Sequence, residues 1–138
     1  MSAVKRPDAG SEKMPVSEVG QAKQEAYIHW LRQSVSRPPN SNEELYARAW
    51  KVARAAAQLL RERYHVTRIR AFGSLVRRER FHRDSDVDLA VEGLLPTHYW
   101  GAVTETLFLD EHIPVELVDR EVCRPSLWET VERDGVDL

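Results

Sequence analysis

Asp86 and Asp88 flank a valine at the head of an otherwise apolar run, Asp86-Val87-Asp88-Leu89-Ala90-Val91-Glu92, which closes on Gly93. The β-branched and aliphatic residues predict a strand, and a strand points residues two apart to the same side. Asp86 and Asp88 therefore share one face. Val87, Leu89 and Val91 share the other and imply a core behind it. Two carboxylates held side by side repel each other, and withdrawing them from water costs more still. Such a pair is usually kept because a cation sits between its members, so this strand is read as a chemical site rather than a packing pattern.

The rest of the chain places that strand in an α/β fold. Residues 1–15 are polar and rich in small residues and are expected to be disordered. A helix is expected over 17–34 on the stripe Val19, Ala22, Ala26, Trp30, so residues 16–40 read as a helical extension ended by Arg37-Pro38-Pro39-Asn40. The domain proper is expected over 41–138. Ser41 and Glu44 have capping-box spacing, and Leu45, Ala49, Val52, Ala56 and Leu59 predict an apolar helix face running to about Tyr64. Arg48, Lys51, Arg54 and Arg61 fall largely off that stripe and are assigned to a solvated surface.

Val66 to Phe72 reads as a strand leading into Gly73-Ser74, and 75–85 as a charged loop or short helical turn. Pro96 and Thr97 open a helix expected to reach about Asp110, with Trp100, Val103 and Leu107 in register. Pro114 to Asp119 is a third strand. Pro125 to Asp134 is a short helix, with Gly135 expected as a left-handed cap. A small mixed sheet with flanking helices follows.

Composition removes several function classes. A formal net charge of −2 gives no bulk electrostatic case for direct nucleic-acid or membrane binding. The single cysteine, Cys123, rules out an internal disulfide and suits a reducing compartment. No apolar run approaches membrane-spanning length, and the amino terminus lacks the apolar segment of a signal peptide, so a cytoplasmic protein is expected. No Gly-Lys dipeptide exists, which excludes a Walker-type phosphate loop. The five histidines show no metal-ligand spacing.

A cation site built on two aspartates wants a third hard ligand. The third strand offers Glu116 and Asp119, three residues apart and hence on opposite faces. Val115 and Leu117 must face the core, which sends Glu116 to the side of Asp86 and Asp88 and takes Asp119 away from it. Three carboxylates favour Mg²⁺ or Mn²⁺ over zinc, because hard oxygen ligands suit hard cations. Gly73 and Ser74 suit a bound phosphate, since glycine permits close backbone approach and serine donates hydrogen bonds.

Gly73-Ser74, an eleven-residue spacer and Asp86-Val87-Asp88 resemble the signature of the DNA polymerase β-like nucleotidyltransferases. The compact chain looks like the minimal nucleotidyltransferases, antitoxin components often encoded beside a HEPN-domain toxin. The likeness covers roughly residues 42–138, including Pro114–Asp119 and the closing segment to Leu138. It departs in a spacer one residue longer than the commoner ten, and in a glutamate where many minimal members have aspartate. The resemblance implies transfer of AMP from ATP to a hydroxyl, with Asp86, Asp88 and Glu116 as catalytic and metal-holding residues and Gly73 and Ser74 as nucleotide-binding residues. With no acceptor domain evident, the expected acceptor is a tyrosine of a HEPN ribonuclease toxin. Two alternatives share the sequence: a non-catalytic antitoxin that masks its partner, and an antibiotic-modifying transferase whose acceptor pocket is built by a dimer. Of the spacer residues Arg77, Arg78, Arg80 and Arg83, at least one is expected to meet phosphate or partner.

Overall fold

The computed structural model describes residue 39 and residues 41–138. The expected disordered segment and the expected helix over 17–34 lie outside the described residues. The first described element is a long helix, α1 (Asn42–Tyr64), and it starts at the expected Ser41 cap: Ser41 is extended and its Oγ accepts a hydrogen bond from the Glu44 amide at 3.1 Å. It ends at His65, which adopts φ 57° and donates its amide to the Leu60 carbonyl. Leu45, Ala49, Val52, Ala56 and Leu59 are all buried, joined by Ala53, Ala55, Ala57 and Leu60. The alanines remove side-chain bulk and let the helix lie close to its neighbours.

The sheet is β3-β2-β1-β4, built from β1 (Arg68–Phe72), β2 (Val87–Glu92), β3 (Val115–Asp119) and β4 (Val136–Asp137). β2 runs antiparallel to β1 and parallel to β3, and β4 runs antiparallel to β1. Val87, Leu89 and Val91 are fully buried in the main core with α1. The opposite face carries Phe72 and Ala90, which cluster with Trp128 and Val131 of a second helix layer, α3 (Pro125–Asp134). Arg70 is buried at the edge of that layer, where its guanidinium pairs with Glu92 at 3.3 Å and lies 5.2 Å from the Trp128 ring.

Five details depart from the sequence reading. Arg48 is not on a solvated surface: it is buried, and its Nε donates to Asp110 Oδ2 at 3.0 Å. The partner comes from 62 residues away, beyond the reach of any helical periodicity. The helix between β2 and β3 begins with a 3₁₀ turn, Pro96–His98, and then runs as α2 (Tyr99–Leu107), stopping short of Asp110. Its fully buried residues are Ala102 and Thr106, Val103 packs partly buried against the core as expected, and Trp100 does not face inward. Thr106 tolerates burial because its hydroxyl donates to the Ala102 carbonyl at 2.8 Å. Gly101 lets the helix approach Tyr64, whose hydroxyl lies 3.1 Å from where a Cβ would stand. Trp100 is thereby turned outward and is 74% exposed.

Gly135 is extended (φ −66°, ψ 144°), so it is not a left-handed cap. Glycine is required there for space, because a Cβ would sit 2.5 Å from the Val131 carbonyl oxygen. The chain passes straight into β4, a strand absent from the sequence reading because only two residues form it.

The buried pair supplies a stability prediction. The Asp110 side chain is fully enclosed, so Arg48→Ala strands a carboxylate in the interior and should cost about 3–5 kcal/mol in urea denaturation. Replacing both partners by apolar residues should return most of that loss. A loss near the ~0–1 kcal/mol of an exposed pair would mean that the bridge is not buried in solution.

Candidate functional site

Two strand registers assemble the site. Phe72 of β1 pairs with Asp88 of β2, so the next residue, Gly73, leaves the sheet directly beside the Asp88 carboxylate. Asp88 also pairs with Glu116 of parallel β3, so these two acids lie side by side on the same face. Asp86 precedes β2 by one residue, and the Val87 amide anchors the strand entry by donating to the Pro114 carbonyl at 2.9 Å. One carboxylate oxygen from each of Asp86, Asp88 and Glu116 lies within 4.8 Å of the others. Asp86 and Asp88 are half-buried and Glu116 is exposed. Asp119 takes the other face, as strand parity requires, and is buried.

Gly73 is held to glycine twice over. Its φ of +76° is in the left-handed region, and a Cβ would lie 2.5 Å from Asp88 Oδ2. Ser74 follows in the 3₁₀ turn Gly73–Val76, and its carbonyl accepts from the Arg77 amide at 3.1 Å. The turn therefore begins with the Gly73 backbone close against the Asp88 carboxylate.

The site is electrostatically strained. Burial, then the neighbouring charge of Glu116 and a hydrogen bond shared with it, then Asp86, push the Asp88 carboxyl up to about 7. Three hard oxygen donors within 4.8 Å of one another, one of them reluctant to ionise, are a donor set that fits a divalent cation of the Mg²⁺ or Mn²⁺ kind. Three acids held together in this way call for a compensating positive charge.

The spacer forms the 3₁₀ turns Gly73–Val76 and Arg78–Arg80, matching the expected short helical turn. Two of its arginines have definite partners. Arg77 pairs with Asp134 at the end of α3 at 3.0 Å, and hydrogen bonds from Arg77 and Arg133 hold the Asp134 carboxyl below its usual range. Arg78 lies 4.7 Å from the Tyr46 ring. The Arg77–Asp134 tether, which fixes the far side of the Gly73-Ser74 turn to α3, had no sequence signal, since its partners are 57 residues apart.

The mixed sheet and its flanking helices are those of the polymerase β-like nucleotidyltransferases, and the chain belongs to the nucleotidyltransferase domain family, whose family model matches residues 53–132. That span holds Gly73, Ser74, Asp86, Asp88 and Glu116. Among solved structures, the crystal structure of a toxin–antitoxin with AMP-PNP is similar at a TM-score of 0.51 and 27% identity, over 59% of this chain and 67% of that one. A mutant of the toxin–antitoxin MntA–HpeT shares the fold at a TM-score of 0.50 and 23% identity, over 62% of this chain and 70% of that one. No curated protein matches the chain. Among the described residues no helix is long and apolar enough to cross a membrane.

The raised Asp88 pKa has a definite sign. The folded state holds the Asp88 proton up to about pH 7, against 3.8 for an ordinary aspartate, so its contribution to stability is fully present below pH 3.8 and lost as pH rises through 7. Asp88→Asn mimics the protonated acid and should flatten that slope, leaving the variant at least as thermostable as the native protein at pH 8. Mn²⁺ must displace the proton, so it should raise the native melting temperature more at pH 8 than at pH 6 and leave Asp88→Asn nearly unmoved. Equal Mn²⁺ shifts at both pH values would contradict this assignment. Gly73→Ala, which forces the Asp88 carboxylate aside, should cost on the order of 1–3 kcal/mol and abolish the Mn²⁺ shift in the same melting assay.

Proposed function

We propose that the protein is a metal-dependent nucleotidyltransferase that moves AMP from ATP onto a hydroxyl of a partner protein, a tyrosine of a HEPN ribonuclease toxin, and so acts as its antitoxin in the cytoplasm. The observation that carries this reading is the convergence of Asp86, Asp88 and Glu116 beside the Gly73-Ser74 turn. Residues 41–138 would be the catalytic unit and residues 16–40 a helical extension.

In the proposed reaction the acceptor oxygen attacks the α-phosphorus of ATP. A new phosphorus–oxygen bond forms to AMP as the bond to pyrophosphate breaks, and pyrophosphate leaves. Asp86, Asp88 and Glu116 would hold the divalent ion, which supplies charge stabilisation for the attacking and leaving oxygens. Gly73 and Ser74 would cradle the phosphates: the glycine turn brings the backbone close and the serine hydroxyl donates to a phosphate oxygen. Glu116, the most exposed of the three acids, would help activate the incoming hydroxyl by accepting its proton. Asp88, half-buried and hydrogen-bonded to Glu116, would keep that carboxylate oriented.

The solved relative with AMP-PNP, a non-hydrolysable ATP analogue, supports an adenine nucleotide as donor, and the toxin–antitoxin relatives support a protein acceptor. The described residues supply no separate domain to hold a small-molecule or RNA acceptor, and the exposed position of Glu116 suits an acceptor arriving on another molecule.

Mass spectrometry of the cognate HEPN protein after incubation with Mg²⁺ and ATP should find a mass gain of one or more AMP groups on tyrosine. Asp88→Asn should lower the rate by at least about a hundredfold, as expected when a group that stabilises transition-state charge is removed. An unmodified partner that is nevertheless neutralised, equally by native protein and Asp88→Asn, would instead establish a masking antitoxin.

A further inference from the structure

Glu116 and Asp119 are three residues apart on β3, so Asp119 lies about 10 Å further along the strand and on the opposite face of the sheet. There it forms the floor of a separate recess of about 410 Å³, walled by Pro96, Tyr99, Trp100, Glu121 and Val122. The Asp119 side chain belongs to a residue only 6% exposed. Its Oδ1 accepts from the Glu121 amide at 3.0 Å, a bond internal to the turn. Among the described residues no lysine or arginine pairs with Asp119 or Glu121. The adjacent Arg120 points elsewhere, to Glu92 at 3.1 Å and toward the Trp128 ring.

The rim of this recess carries bare apolar surface. Trp100 is 74% and Val122 76% exposed, while Leu94 closes the recess from the buried side. Tyr99 packs edge-on to Trp100 with ring centroids 5.1 Å apart, so the two rings make a fixed aromatic corner. A carboxylate withdrawn from water without a cation is costly. Exposed aromatic and aliphatic surface around a polar centre is the anatomy of a protein contact, with an anchor pocket inside an apolar ring. A guanidinium answers both demands, because its face stacks on an aromatic ring while its edge donates paired hydrogen bonds to a carboxylate.

We propose that this recess receives an arginine side chain of a partner protein, seated against Trp100 with its guanidinium on Asp119 and Glu121. The site is distinct from the acidic triad and does not rest on the adenylyl-transfer reading. Neither proposal fails with the other.

The full-length ¹⁵N-labelled protein, without nucleotide or metal, is titrated with the blocked peptide Leu-Arg-Leu, its citrulline counterpart Leu-Cit-Leu, and Gly-Arg-Gly. Leu-Arg-Leu should give saturable shifts at the Trp100 indole N–H and the Glu121 amide. Leu-Cit-Leu, equal in shape but uncharged, should bind at least about tenfold more weakly. Gly-Arg-Gly should be weaker by roughly fivefold, because it leaves the apolar rim uncovered. Trp100→Ala should abolish the response. Asp119→Asn, which keeps the acceptor for the Glu121 amide, should weaken it about tenfold. If Asp119→Asn loses amide dispersion and so fails to fold, the exposed Trp100→Ala variant decides the matter. Equal binding of the citrulline peptide, shifts centred on Asp86 and Glu116 instead, or an undiminished response in Trp100→Ala would each overturn the proposal. Equal affinity for Gly-Arg-Gly would assign the recess to a small free cation and overturn the protein partner.

Discussion

The pairing of Asp88 with two neighbours at once, Phe72 on one side and Glu116 on the other, is the constraint on which the site depends. A slip of one residue in either register would turn a carboxylate to the wrong face, because side chains alternate along a strand. Such a slip is strongly opposed by the other face of β2. Val87, Leu89 and Val91 are fully buried, and shifting them outward would expose a large part of the core. The apolar face thus holds the acidic face in place. Burial of Asp88, with the neighbouring charges of Glu116 and Asp86, raises the Asp88 pKa to about 7, and this strained arrangement is sustained by the core on the opposite side of the same strand.

This arrangement explains which parts of the molecule were legible in the sequence. The strand β2, the face-sharing of Asp86 and Asp88, and the choice of Glu116 over Asp119 all follow from a period of two and a need for a core. The start of α1 was equally plain, since Ser41 and Glu44 announce a cap locally. What escaped was decided by partners distant in the chain. Arg48 looks like a surface residue from its position on the helix, and only the loop after α2 brings Asp110 to it. The inward face of α2 keeps the expected Val103 but turns on Ala102 and Thr106 and excludes Trp100. The closer approach allowed by Gly101, Ala102 and the self-satisfied Thr106 outweighed it. β4 is too short to carry any periodicity, and it exists because Gly135 clears the Val131 carbonyl and delivers Val136 to the edge of β1.

Rigidity around the Gly73-Ser74 turn comes from several sources of different kind. The β1–β2 pairing fixes its start, and the left-handed glycine fixes its direction. The Arg77–Asp134 pair then ties its far end to α3. An exposed ion pair of this sort adds little to global stability. Its value here is positional: it restrains a loop that would otherwise carry four arginines freely past the carboxylates. For a proposed phosphate cradle, loop order matters more than loop affinity, because each donor ordered beforehand need not be ordered on binding.

The two acids of β3 show how one strand can serve opposite surfaces. Glu116 and Asp119 differ by three positions, and this odd spacing alone assigns one to the triad and the other to the aromatic recess. Both are carboxylates in need of a positive partner, yet their surroundings select different ones. Glu116 is exposed and stands with two further acids, an environment in which a compact, strongly hydrated dication is the natural counterion. Asp119 stands beneath Trp100 and Tyr99, where a dication would find too few oxygens and where a flat, weakly hydrated guanidinium can be solvated by rings as well as by carboxylates. The chemistry each face can recognise is therefore set by what surrounds the acid, and the strand's alternation keeps the two chemistries apart.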